Sequence, residues 1–185
     1  MRMFVAIRPS EEAVADLDTF LDVRREHGAF RWTDPEHFHL TLAFCEHVAE
    51  RSLDELIDRL AAMAERTPSF DLRLSGGGAF PNVALAKVLW VGGEAPEGPL
   101  RRLAAGSRGA ANAAGIRVDG ARFHPHVTVA RTGWPIEATS WIRVLDTYRG
   151  PVTRVEQVEL VASYLGEGRR RRPRYETIAQ IPLSD

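Results

Sequence analysis

The sequence predicts a mixed strand and helix protein built as one domain of two similar lobes over residues 1–185, and three observations predict it. Segments with strand and helix periodicity alternate as strand, helix, strand, helix, and the same idea then repeats. No linker rich in Pro, Gly or Ser divides the halves. One short pattern occurs once in each half: His39-Leu40-Thr41-Leu42 and His126-Val127-Thr128-Val129.

The elements follow in order. Met3 to Arg8 alternates and reads as a strand. Ser10 is the N-cap of an amphipathic helix to about Glu26, with Val14, Leu17 and Leu21 at helical spacing. Phe30 to Trp32 and His37 to Phe44 are extended around the turn Asp34-Pro35. Ser52-Leu53-Asp54-Glu55 reads as a capping box for a second helix to about Arg66. Phe70 to Leu74 is a strand bent or bulged at Gly76-Gly77-Gly78, and Lys87 to Val91 is the next strand. The glycine run lacks the following Lys-Ser/Thr of a phosphate loop. Gly92 to Pro99 reads as a loop, and Leu100 to Ala114 as a third helix with Gly115 as its C-cap. The second motif strand runs from about Phe123 to Arg131, and Ile136 to Asp146 is a short helix. Val152 to Tyr164 and Tyr175 to Leu183 form a long closing hairpin joined by the exposed loop Gly166 to Arg174.

Composition bounds the function. The chain has 185 residues, 44% hydrophobic and 26% charged, with net charge −1. It is large enough for one substantial core and is not a polyanion binder by bulk charge. No apolar run approaches a membrane span, and the charged N-terminus reads as a strand rather than a signal segment. A single cysteine, Cys45, excludes an intramolecular disulfide and a cysteine-rich metal cage. The expectation is a cytoplasmic monomer with no membrane partner. Lys87 is the only lysine; the arginine excess suits bidentate phosphate contact, and coding bias explains it equally well.

In a strand, residues i and i+2 share a face about 6.6–6.8 Å apart. Each motif copy therefore presents an imidazole beside a hydroxyl, a pairing suited to acid–base chemistry at a phosphoryl group. Threonine's strand propensity does not explain its recurrence two residues after a histidine.

The paired motifs, the second followed by Ala130-Arg131, resemble those of the 2H phosphoesterase superfamily, and within it the RNA 2′,3′-cyclic phosphodiesterases, also called 2′-5′ RNA ligases. The resemblance runs nearly end to end. It takes in Arg2-Met3-Phe4-Val5-Ala6-Ile7, Trp32, Val88-Leu89-Trp90 and Leu160-Val161-Ala162-Ser163-Tyr164-Leu165 with Tyr175. It implies a bilobal α+β fold: two antiparallel sheets flank a central cleft, helices lie outside, and a pseudo-twofold relates the lobes. It implies hydrolysis of 2′,3′-cyclic phosphate ends of RNA or nucleotides to a 2′-phosphate, with no metal or other cofactor. Carried over by residue, His39 is the proton donor, His126 the proton acceptor, Thr41 and Thr128 the phosphoryl hydrogen-bond donors, and Arg131 the phosphate-binding guanidinium. The motif's near symmetry does not by itself say which histidine is acid. Strict alternation puts Arg131 on the face opposite His126, so the strand must end or bend near Ala130.

Other readings stay open. A different 2H activity on nucleotides, 2′-5′ bond chemistry, and an RNA-binding module without turnover all use the same cleft. His37 and His124 extend each motif to His-x-His-x-Thr, and four histidines on one face are a potential transition-metal set. The run Gly168 to Arg174 is either a solvated loop or a clamp on the RNA backbone. Cys45 is expected to be buried and inert, and Glu46 stands where the family has glycine. Trp32, Phe80, Trp134 and Tyr164 are candidates for base stacking, against core packing as the alternative.

Overall fold

The computed structural model describes all residues, 1–185. In chain order it has β1 (Arg2–Ile7), α1 (Glu11–Asp22), β2 (Arg31–Trp32), β3 (Leu40–Cys45), α2 (Leu53–Ala64), β4 (Phe70–Phe80), β5 (Ala86–Glu94), α3 (Pro99–Ala113), β6 (His126–Ile136), α4 (Thr139–Leu145), β7 (Arg149–Val155), β8 (Gln157–Tyr164) and β9 (Arg174–Pro182). The fold is α+β, with four helices and a curled antiparallel sheet. No helix is long and apolar enough to cross a membrane.

The sheet departs from the expectation of two separate ones. All nine strands are hydrogen-bonded into one path, β7-β4-β5-β6-β3-β1-β8-β9, with β2 added on β6. The seam is narrow: β3 and β6 share a single registered pair, Leu40 with Val127. Both side chains are fully buried, so the core beneath holds the two strands together. Strand twist accumulates on either side and curls the sheet. The two motif strands are therefore neighbours across a seam rather than facing walls.

Both motif strands carry a β-bulge at the same place. Along β3, Val5 pairs with Ala43 and Ala6 with Thr41, so Leu42 is the extra residue. Along β6, Leu89 pairs with Ala130 and Trp90 with Thr128, so Val129 is the extra residue. A bulge shifts the alternation by one. Leu42-Ala43 and Val129-Ala130 are consecutively buried as a result.

The helices cover the face beneath the motifs, with α2 against α3, α3 over β3, α1 against β7 and α4 against β4. Ser10 caps α1 as expected: its Oγ accepts the Ala13 N–H at 3.2 Å. The capping box at Ser52 does not form. Ser52 ends a 3₁₀ turn, Glu50–Ser52, and its helical backbone (φ −97, ψ −3) makes no side-chain cap. An N-cap needs extended backbone for its oxygen to reach forward. Gly115 ends α3 at φ +74, with the Ile116 N–H donating to the Ala111 carbonyl at 2.9 Å, a Schellman closure.

Other boundaries moved where tertiary pairing overrode local signals. β4 runs through the glycines, and Gly76, at φ +71, is the bulged residue between Ser75 and Gly77. Gly92 and Gly93 belong to β5, because β4 and β6 satisfy their strand on both sides. The stretch Val152 to Tyr164 is two strands: β7 pairs with β4, and β8 lies between β1 and β9.

Candidate active site

The pair Leu40–Val127 sets the site. Extending its antiparallel register places Thr41 opposite His126 and His39 opposite Thr128. With Leu40 and Val127 facing the core, the four polar side chains share the other face. All four line one open cleft of about 510 Å³.

Each histidine is held the same way. The His39 Nδ1 lies 2.7 Å from the carbonyl of His37, and the His126 Nδ1 lies 2.6 Å from the carbonyl of His124. A carbonyl only accepts, so each Nδ1 carries a proton and each Nε2 is left for chemistry. Thus His37 and His124 act through their backbones. His39 stacks on Phe4 at 4.6 Å between centroids, with Tyr175 edge-on at 5.6 Å. His126 meets the Phe80 ring edge-on at 4.9 Å.

Burial disfavours the imidazolium at both positions. It pushes His39 down to about 4, aided by the positive fields of Arg8, His37 and His126 and opposed by the His37 carbonyl. His126 is also lowered, first by burial and then by His124 and Arg131, with the His124 carbonyl opposing. Both rings are therefore neutral at pH 7 in the free protein.

Arg131 reaches the cleft through the bulge at Val129. The strand does not end at Ala130 but bends there, the second of the two expected alternatives: the bulge shifts its alternation and carries the Arg131 side chain to the face of His126 and Thr128. The same bulge in β3 brings Phe44 to the equivalent place beside His39 and Thr41.

The arginine-rich loop is not remote from this centre. Gly168 to Arg174 folds back, Arg172 pairs with Asp34 at 3.0 Å, and Arg171, Arg172 and Pro173 form part of the cleft wall. Among the lining residues that escaped sequence reading are Arg2, Arg31 and Tyr175. Arg2 and Phe4 are two residues apart on the face of β1 opposite Met3 and Val5, which pack into the main core, and Phe4 is itself buried on the cleft side. Tyr175 is brought over His39 by the β8–β9 pairing, a long-range event without a local signal.

The four histidines do not converge on one point. His124 packs on Trp90 at 4.6 Å, and His37 lies edge-on to Tyr175 at 5.0 Å. The grouping of three ligand-capable side chains is instead Asp34, Glu36 and His37, where Asp34 is already held by Arg172. Cys45 is fully buried, and burial raises its thiol to about 11. Of the aromatic candidates, Trp32 lines the cleft and Phe80 contacts His126, whereas Trp134 is 64% exposed and Tyr164 sits under Arg174 at 4.1 Å.

The fold is shared with solved structures. A Thermus thermophilus protein superposes with a TM-score of 0.79 at 28% identity, covering 99% of this chain and 98% of that one. Escherichia coli LigT in its apo form gives 0.77 at 26% identity, covering 100% and 98%. LigT has also been seen in complex with 3′-AMP. Among sequence relatives, an RNA 2′,3′-cyclic phosphodiesterase of Aeropyrum pernix is 32% identical over 152 residues, 80% of this chain and 83% of that protein. The enzyme of the same name from Geobacillus stearothermophilus is 30% identical over 181 residues, 97% of this chain but 56% of that protein. This chain thus spans little more than half the length of the Geobacillus relative. The model of the 2′-5′ RNA ligase superfamily matches residues 9–167. With the match spanning most of its length, the chain belongs to the 2′-5′ RNA ligase superfamily of 2H phosphoesterases.

Proposed function

We propose that this protein is an RNA 2′,3′-cyclic phosphodiesterase that opens a terminal cyclic phosphate to a 2′-phosphate by two-histidine acid–base catalysis. The observation that carries the reading is the matched tautomer: two imidazoles, each pinned at Nδ1 by a carbonyl two residues back, line one cleft with Thr41, Thr128 and Arg131. His126 Nε2 takes a proton from water as its oxygen attacks phosphorus. The P–O3′ bond breaks, and O3′ takes the proton from His39 Nε2. Thr41, Thr128 and Arg131 bind the non-bridging oxygens and stabilise the charge that builds there. His39 is neutral in the free protein, so its donor form fills only when the anionic phosphate arrives beside it.

We also propose that residues 1–185 act as one domain of two interleaved lobes related by a pseudo-twofold. In support, β3, β1, β8 and β9 run outward from the seam on one side, as β6, β5, β4 and β7 do on the other. The matched bulges fall in the two central strands.

The test is a short RNA with a 2′,3′-cyclic end, incubated in EDTA with wild type, His39→Ala and His126→Ala. A parallel substrate carries sulfur in place of the 3′-bridging oxygen. Wild type should yield a 2′-phosphate product and both variants little. The sulfur substrate, whose leaving group needs no protonation, should restore His39→Ala and not His126→Ala. Rescue of the other variant would reverse the roles, and no turnover by wild type would refute the activity.

A further inference from the structure

The strand β2 is two residues long, yet its register is fixed. Arg31 stands directly opposite Arg131 on β6, Trp32 stands opposite Ala130, and the Thr33 N–H donates to the Val129 carbonyl at 2.9 Å. Trp32 is anchored by Phe30 and Trp141, at 5.6 and 5.8 Å between ring centroids. Directly opposed residues of an antiparallel pair project to the same side, about 4.5–5.5 Å apart at Cβ, and like charges there repel. Both arginines line the cleft, and neither has a carboxylate partner.

Further positive charge sits on the same walls. Arg2 lies over the Phe44 ring at 4.9 Å, and its Nε is buried without a hydrogen-bond partner. Arg171 lines the cleft from the 168–174 loop, held in the left-handed region at φ 59 beside Arg170 at φ 54. The one acid on the cleft wall, Asp34, is taken by Arg172. Four unpaired guanidiniums therefore surround a centre whose cyclic phosphate carries a single negative charge. Arg131 and the two threonines already serve that charge in the proposed reaction.

We propose that Arg31, with Arg2 and Arg171, forms a second phosphate subsite, which takes the phosphate on the 5′ side of the terminal nucleoside. The like-charge pair Arg31–Arg131 is then a fork spread between two phosphates, one being opened and one held. The substrate class is an RNA end with at least one phosphate beyond the cyclic one. This rests on the phosphodiesterase reading above, and it adds a specificity that the reaction itself does not require.

Three substrates test it: adenosine 2′,3′-cyclic phosphate, the same compound with a 5′-phosphate, and the dinucleotide ApA with a 2′,3′-cyclic end. Wild type should show kcat/KM at least about tenfold higher on a substrate with the extra phosphate, mainly through KM, as one to two charge-assisted contacts supply. Arg31→Gln, and more so Arg31→Gln with Arg171→Gln, should bring that ratio toward one. A gain on both phosphate-bearing substrates assigns the subsite to phosphate as such, and a gain on ApA alone assigns it to the internucleotide phosphodiester. Arg31→Gln should also keep or raise Tm, because it removes a like-charge pair at an exposed position. Equal kcat/KM on all three substrates in wild type, or equal losses on all three in Arg31→Gln, overturns the subsite. Should wild type turn over none of them, the phosphodiesterase reading fails, and calorimetric Kd values for the same uncleaved compounds still judge the subsite. Tighter binding with the extra phosphate that Arg31→Gln abolishes supports it, and equal Kd values overturn it.

Discussion

Replacing His39 with asparagine should remove a pH dependence of folding stability that the site imposes on the protein. The asparagine amide can still donate to the His37 carbonyl, so the pinning hydrogen bond has a substitute while the titration is gone. The sign follows from the lowered pKa of about 4 against an ordinary 6.5. Above pH 6.5 the ring is neutral in both folded and unfolded chains and contributes no slope. Between 6.5 and 4 the unfolded chain takes up a proton that the folded chain refuses, so stability falls as pH falls. Below 4 both states are protonated and the penalty is constant, at about 3 kcal/mol from the shift at about 1.4 kcal/mol per unit. By pH 4.5 about 2.5 kcal/mol of it has developed.

The assay is urea unfolding followed by tryptophan fluorescence at several pH values from 7.5 to 4.5, on wild type and His39→Asn. The variant loses stacking on Phe4, so it starts less stable at pH 7.5. The informative quantity is the gap between the two proteins, in which the other titrating groups largely cancel. That gap should move by about 2.5 kcal/mol in favour of the variant as the pH drops to 4.5, with m-values unchanged. A gap constant to within about 0.5 kcal/mol would refute the claim that burial suppresses the His39 imidazolium.

Two further outcomes follow from the same site. With a cyclic-ended RNA, kcat/KM should trace a bell whose limbs both lie on the acid side of pH 6.5, since this ratio reports the free enzyme and both histidines are lowered there; a profile flat from pH 5 to 9 would contradict two-histidine catalysis. Arg131→Gln should lower kcat/KM by about 10- to 100-fold, the loss of a charged hydrogen bond of about 1.5–3 kcal/mol, and a loss below threefold would remove Arg131 from the phosphate site.

What the sequence showed and what it hid divide along the distance over which each feature is decided. Ser10 and Gly115 are local, as is the His-x-Thr pair, and a pattern three to six residues long carried each. The face of Arg131 is not local. Alternation alone puts it on the wrong side, and the bulge at Val129 that supplies the needed bend depends on how β5 registers against β6. The closing hairpin was overextended for the same reason: nothing in Val152 to Tyr164 says that its first part pairs with β4 and the rest with β1 and β9. The arginine loop is largely exposed, as expected, and its place on the cleft wall was hidden because Asp34, the partner of Arg172, is 138 residues away in sequence.

The matched bulges explain how a nearly symmetric motif can support asymmetric chemistry. They bring Phe44 and Arg131 to equivalent places, so one lobe presents a ring where the other presents a cation. Arg131 beside His126 disfavours its imidazolium, which suits the proposed proton acceptor. His39 has no such cation in its own strand, although Arg8 lies near it, and its low pKa comes first from burial, a penalty that a phosphate anion in the cleft offsets. Substrate binding therefore acts unequally on two similar rings. It supplies the charge that His39 lacks, while Arg131 shares that charge with the phosphate and leaves His126 neutral. The two copies thus differ in the residue two positions beyond each bulged one, Phe44 in β3 and Arg131 in β6, and only the proposed base has a cation of its own strand beside it.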